Sequence, residues 1–207
     1  KLDQVITFGP LPDRVVNNAP FTLHATASSG LPVSYTNDSF SNLGVATVTG
    51  NTVTLVGGGV TTITAIQGGD STYAAATNLS QTLTVNVPPA ITQQPQSLSV
   101  TVGSQVGFSV TATGTSPLGY QWRKDGVNIG GATESSFTIN AAQTGDAGVY
   151  TVVVNNVAGS VISQSASLTF LVPPAITQQP QSLSVTVGGQ AGFSVTAGGT
   201  EPLRYQW

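Results

Sequence analysis

The chain has 207 residues, of which 39% are hydrophobic and only 6% charged, with a formal net charge of −3. Five Lys and Arg in all cannot neutralise a phosphate backbone, so nucleic acid is excluded as a partner. No run approaches the roughly 20 apolar residues that span a bilayer, so direct membrane insertion is excluded for this segment, and the absence of cysteine excludes disulfides, thiolate catalysis and cysteine metal sites.

In chain order, residues 1–87 come first. Alternating runs at 5–8, 21–27, 33–37, 46–49, 52–56, 60–66 and 77–85 are rich in Val, Ile, Thr and Phe, which fit a pleated surface. Gly50-Asn51 separates two of them as a hairpin turn, and Gly68-Gly69-Asp70-Ser71 marks a second break. His24 alternates with Leu23 and Ala25, which puts it on the outward face. On Ser28-Ser29-Gly30-Leu31-Pro32-Val33-Ser34-Tyr35, Val45-Ala46-Thr47-Val48 and Thr61-Thr62-Ile63-Thr64-Ala65, this segment resembles the bacterial immunoglobulin-like repeats of adhesins and exoproteins. That resemblance implies a secreted or surface-displayed chain acting as a spacer or in adhesion. An export signal is expected outside this segment, since none begins at Lys1.

Residues 88–172 alternate more clearly. Val106, Phe108, Val110 and Ala112 point one way, and Gly107, Ser109 and Thr111 the other. Tyr150, Val152 and Val154 form a second inward row. Lys124-Asp125-Gly126 and Val157-Ala158-Gly159-Ser160 are turns between strands. Without helical periodicity, an antiparallel sandwich is the expected architecture.

Tyr120-Gln121-Trp122, Lys124-Asp125-Gly126, Phe137-Thr138-Ile139 and Asp146-Ala147-Gly148-Val149-Tyr150 together resemble the immunoglobulin superfamily, most closely its intermediate (I-set) type. The resemblance implies that Trp122 is a buried strand tryptophan packed over the core, and that Asp146 and Tyr150 form a tyrosine corner. It also implies that Val110 and Val152 stand where the superfamily carries its inter-sheet disulfide. With Trp122, Tyr150 and Val152 inward, Gln121, Arg123, Val149, Thr151 and Val153 face outward. In the resemblance their strands are neighbours, so these five define a candidate face for domain packing or homophilic contact.

The segment PPAITQQPQSLSVTVG stands at 88–103 and again at 173–188, an offset of 85 residues. The correspondence continues from Phe108-Ser109-Val110 to Phe193-Ser194-Val195, and from Tyr120-Gln121-Trp122 to Tyr205-Gln206-Trp207. A period of this length is close to a whole small sandwich domain, so the repeat predicts beads with borders at Val87-Pro88 and Val172-Pro173. The expected domains are 1–87, 88–172 and a truncated start of a third at 173–207, poorly packed or borrowing strands from a neighbour.

Catalytic chemistry has little to work with. Acid–base hydrolysis needs two positioned carboxylates, and the eight Asp and Glu are scattered singly. Asp70, Asp125 and Asp146 each read as turn residues. Gly57-Gly58-Gly59 lacks the Lys-Ser/Thr and helix of a phosphate loop. Tyr35 and Tyr73 are the aromatics available for stacking on a sugar ring. The expected fold is all-β, tandem immunoglobulin-like antiparallel β-sandwiches. The expected role is a non-catalytic extracellular structural or interaction module without cofactors or metal, its partners other protein domains or surface glycans. The alternative is an accessory carbohydrate-binding segment of a secreted polysaccharide-degrading enzyme.

Overall fold

Period-two alternation broken by Gly and Pro is realised as short strands in the computed structural model, which describes residues 1–37 and 44–207. The first stretch forms β1 (Ile6–Phe8), β2 (Arg14–Val15), β3 (Phe21–Thr22), β4 (Ala25–Ala27), β5 (Ser34–Asn37), β6 (Ala46–Thr49), β7 (Thr52–Leu55), β8 (Gly59–Ile66) and β9 (Leu79–Asn86). Next come β10 (Ala90–Gln93), β11 (Leu98–Val100), β12 (Val106–Ser109), β13 (Thr111–Thr113), β14 (Gly119–Lys124) and β15 (Val127–Asn128). They are followed by β16 (Ser136–Ile139), β17 (Gly148–Asn156), β18 (Gly159–Ile162) and β19 (Ala166–Phe170), then β20 (Ala175–Gln178) and β21 (Thr196–Gly198). The all-β expectation holds.

The chain forms two compact units: Lys1–Gln93 with Thr111–Tyr120 and Val153–Ile162, and Gln94–Val110 with Gln121–Val152 and Ser163–Trp207. In the first unit, strands run in the orders β2-β9-β8-β5, β3-β7-β6 and β1-β4. The β8–β9 pair is the longest, antiparallel from Gly59↔Val85 to Ala65↔Leu79. Its inward residues Ile63, Ala65, Leu83 and Val85 join Phe8, Leu23, Ala46 and Val53 in one core. Each large apolar side chain so buried contributes about 1.5–3 kcal/mol.

Two details depart from the sequence expectation. The run at 21–27 is two strands: β3 pairs with β7 and β4 with β1. Leu23 keeps its side chain in the core, and its N–H donates to Asn51 O at 2.7 Å, carrying the β3–β7 register one residue further before the chain turns to pair with β1. The alternation therefore continues unbroken across a change of sheet. The pair Arg14–Val15 is also a strand, parallel to Val85–Asn86. The Arg14 guanidinium lies 4.4 Å above the ring of Phe21, which offsets the cost of placing a cation there.

In the second unit, β12 pairs antiparallel with β16, from Val106↔Ile139 to Ser109↔Ser136. The other strands follow the order β11-β19-β17-β14-β15, with β11 parallel to β19. Residues 173–207 contain the β20–β21 pair, and none of them is buried.

Candidate interaction surface and its supporting core

Strand β14 puts alternate side chains on opposite faces, and Trp122 is the one turned fully inward, at 0% exposure. An indole N–H in such a place needs an acceptor, and Nε1 donates to Glu134 O at 2.9 Å. The Trp122 ring centroid lies 6.1 Å from that of Phe108 and 6.4 Å from that of Phe137. Tyr150 on β17 stacks on Phe108 at 4.6 Å and meets Phe137 at 6.1 Å. Four aromatic rings from four strands thus close one core.

The tyrosine corner is present as geometry. Tyr150 Oη donates to Asp146 O at 2.7 Å. The Asp146 carboxylate accepts from the N–H of Gln143 at 2.8 Å and caps the short 3-10 turn Thr144–Asp146. Burial raises the Tyr150 hydroxyl above the ordinary tyrosine range, and the nearby Asp146 and Asp125 carboxylates push the same way. Asp125 takes a left-handed turn conformation at φ 50, and its Oδ1 accepts from the N–H of Val149 at 2.9 Å. A Cβ on Gly148 would lie 2.7 Å from Asp125 Oδ2, which explains glycine between Asp146 and Tyr150. Nothing in the sequence pairs Gly148 with Asp125, because the contact joins two turns 23 residues apart. Lys124 Nζ donates to Gly145 O, tying the same two turns together.

Val110 and Val152 are both buried. Val110 interrupts its strand, dividing β12 from β13, and its N–H donates to Ser135 O at 2.9 Å. The N–H of Val152 donates to Ser163 Oγ at 3.0 Å.

The five residues expected to face outward fare unequally. Val149 is exposed; Gln121, Arg123, Thr151 and Val153 are half-buried. Gln121 turns its amide back to the chain, donating to Trp122 O and to Ile129 O at 2.9 and 2.8 Å. Arg123 Nε donates to Asn128 Oδ1 at 2.8 Å. Gln121 and Arg123 thus serve the β14–β15 turn region, and an outward direction does not make them free contact groups. Val153 lies on the part of β17 in the first unit, paired with Ile162.

Of the two sugar-stacking candidates, Tyr35 is corrected: it is half-buried, 5.7 Å from the Phe8 ring, and its hydroxyl accepts from the N–H of Ala25 at 2.7 Å. Alternation alone could not show this, because the acceptor is needed where β4 begins. Tyr73 is half-buried as well. His24 is exposed. Asp70 caps its loop, accepting from the N–H groups of Thr72 and Tyr73 at 2.7 and 2.8 Å. Those N–H bonds, Tyr73 first, hold its carboxyl below the usual carboxylate range. Among the described residues no three His, Cys, Asp or Glu come together to hold a metal. Among the described residues no helix is long and apolar enough to cross a membrane.

Comparison with known proteins agrees with this geometry. The immunoglobulin domain family matches residues 88–156. Hemicentin-1 of Mus musculus is 33% identical over 144 residues, 66% of this chain and 2% of that protein. Endoglucanase C of Cellulomonas fimi is 31% identical over 120 residues, 56% of this chain and 11% of that protein. The chain therefore spans a small part of the curated relatives it matches. Among solved structures, the titin I-band fragment I67-I69 superposes with a TM-score of 0.59 at 21% identity, covering 96% of this chain and 76% of that one. Sidekick-1 immunoglobulin domains 1-5 superpose at 0.57 and 20% identity, covering 95% and 45%. At such identities these two likenesses concern the fold alone.

Proposed function

From the premise that the chain belongs to the immunoglobulin superfamily through residues 88–156, whose domains are in general non-catalytic, we propose that it is an extracellular spacer and interaction module of a longer protein, built as beads at 1–87, 88–172 and 173–207. One observation carries the reading. The β10–β13 pair has the register Ala90↔Thr113, Ile91↔Ala112, Gln93↔Thr111, bulge included. The β20–β21 pair repeats it as Ala175↔Gly198, Ile176↔Ala197, Gln178↔Thr196. The same unit is started twice at one fixed interval, which is how a chain sets distance rather than builds a pocket. Two of the three carboxylates of residues 88–156 support this, since Asp125 and Asp146 are engaged in turns.

A bacterial exoprotein as parent is part of the proposal. It rests on the resemblance of residues 1–87 to bacterial repeats and on the match to a Cellulomonas fimi protein. That protein's name, an endoglucanase, favours the second reading, an accessory segment of a polysaccharide-degrading enzyme. Two measurements separate them. For a spacer, inserting further copies of residues 88–172 increases the largest dimension in small-angle scattering by a constant increment per copy, and soluble β-glucans do not bind the full chain. Saturable glucan binding lost in Tyr73→Ala would replace the first reading with the second. Failure of added copies to lengthen the chain would remove the spacer altogether.

A further inference from the structure

Two changes of strand partner in the first unit leave an opening beside Arg14. Strand β1 pairs with β4 and β2 with β9, so residues 9–13 cross from one sheet to another. Pro10 and Pro12 fix the path of that crossing and offer it no N–H. The second change lies between β3, paired with β7, and β4, where Leu23 and His24 stand. Both crossings line one cleft of about 180 Å³. All of these residues lie within the stretch Lys1–Gln93 of one compact unit.

The walls are apolar, supplied by Phe8, Leu11, Phe21 and Leu23, and the groups able to carry positive charge are Arg14 and His24. Arg14 is under-bonded. Its guanidinium has the Phe21 ring at 4.4 Å, and its Nε is shut off from solvent with no hydrogen-bond partner among the described residues. A ring under the charge attracts it without serving donors that lie in the guanidinium plane. Among the described residues no carboxylate lines the cleft. The fold thus places a cation at an apolar opening and withholds its counter-charge.

We propose that this cleft binds a small monocarboxylate with a single aromatic ring, its carboxylate on Arg14 and its ring against Phe8, Leu11 and Phe21. Sites for drug-sized ligands measure roughly 300–1,000 Å³, so this volume admits one ring and no oligomer. The planar fork of arginine takes a carboxylate through two parallel N–H bonds, which are stronger than neutral ones. One obligate cation matches one negative charge; a dianion would leave a charge unpaired among apolar walls. A neutral sugar would bring hydroxyls to walls that offer them few partners. The terminal carboxylate of a peptide has the right charge, but it brings backbone polar groups that a segment carrying two prolines serves poorly.

The test is a proton–nitrogen NMR titration of the full chain with sodium benzoate at constant ionic strength. The amides of Gly9, Leu11, Thr22 and His24 should shift together and saturate, with a Kd on the order of 1 mM for so small a ligand. The chain has three arginines, so Arg123 and Arg204 serve as internal references. Only the Nε–H signal of Arg14 should move, with the same midpoint as the amides. Benzamide, neutral and of similar shape, should bind at least about tenfold more weakly. Arg14→Lys keeps the charge and loses the fork, and should weaken benzoate about fivefold or more. Because that change also alters the contact with Phe21, a second variant is placed at the rim. His24 is exposed, so His24→Glu leaves the fold intact, and its added negative charge should weaken benzoate at least about tenfold. The site would be overturned by the absence of a saturable shift, by equal binding of benzamide, or by benzoate shifts that survive both variants. A short peptide ending in a free phenylalanine carboxylate that binds about tenfold tighter than benzoate would overturn it too, since the occupant would then be a chain end. The inference goes beyond the spacer reading. Neither the scattering increment nor glucan binding passes through this cleft, so either idea can fail while the other stands.

Discussion

The hydroxyl of Tyr150 is the most informative single atom to remove. Tyr150→Phe keeps the ring that stacks on Phe108 at 4.6 Å and deletes only the bond to Asp146 O at 2.7 Å. A net hydrogen bond of this kind contributes about 0.5–1.5 kcal/mol, and a carbonyl left dry costs more. Asp146 is half-buried, so water reaches it in part, which places the loss at about 1 kcal/mol. In a domain of this size that lowers Tm by about 4–8 °C. Tyr150→Ala also empties the site of a ring that is 1% exposed, and the loss rises to about 3–5 kcal/mol. Urea unfolding followed by Trp122 fluorescence reads both, in a Trp207→Phe background because Trp207 is exposed. The hydroxyl also carries a pH signature. Its folded value is raised by burial, so its contribution is complete below about pH 10 and is lost as pH rises through the folded value. The phenylalanine variant should lack this alkaline slope. If Tyr150→Phe changed stability by no more than an ordinary surface substitution, about 0.5 kcal/mol, the corner would be decoration rather than support.

Two further outcomes follow from other parts of the chain. Asp70, held by the N–H groups of Tyr73 and Thr72, should titrate below the ordinary carboxylate value of about 3.9. Its contribution to the loop is present above that pH and lost as pH falls through the lowered value; a carboxyl NMR titration with a midpoint at or above 3.9 would contradict the cap. Val110→Cys with Val152→Cys should cross-link under mild oxidant and add about 2–4 kcal/mol. The chain has no other thiol, so free-thiol titration is unambiguous, and persistence of two thiols would sink the assigned register.

The sequence made Trp122 and Tyr150 legible because each sits in a spaced set of residues whose roles constrain one another. Val110 and Val152 were legible as inward positions by alternation alone. What escaped were features set by distant partners. Arg14–Val15 is a strand only because Val85–Asn86 runs beside it, about 70 residues away along the chain. The run at 21–27 keeps its alternation while its backbone changes partner between Leu23 and Ala25, so periodicity could not reveal the break. Outward direction was readable for Gln121 and Arg123, yet both side chains are spent on Ile129 and Asn128. The bond from the N–H of Val87 to Thr115 Oγ1 at 2.7 Å was hidden for a similar reason, since it joins a border residue to one 28 positions on.

How the second unit keeps its shape without a covalent staple bears on what a string of such units can do. A disulfide acts largely by restricting the unfolded chain, and contributes typically about 2–4 kcal/mol. Two buried valines act on the folded state, at about 1.5–3 kcal/mol each. The totals are comparable, but their conditions differ. Valine burial is indifferent to reductant and oxidant, and it needs no catalyst of pairing during folding. It fails only when the core itself opens, so the aromatic quartet of Phe108, Trp122, Phe137 and Tyr150 must guard it. A repeat built this way folds by local burial alone. Copies at 85-residue intervals can then follow one another with no risk of cysteines pairing between neighbours. Near-identical tandem copies favour that economy, because mispairing between equivalent positions is the hazard that repetition creates.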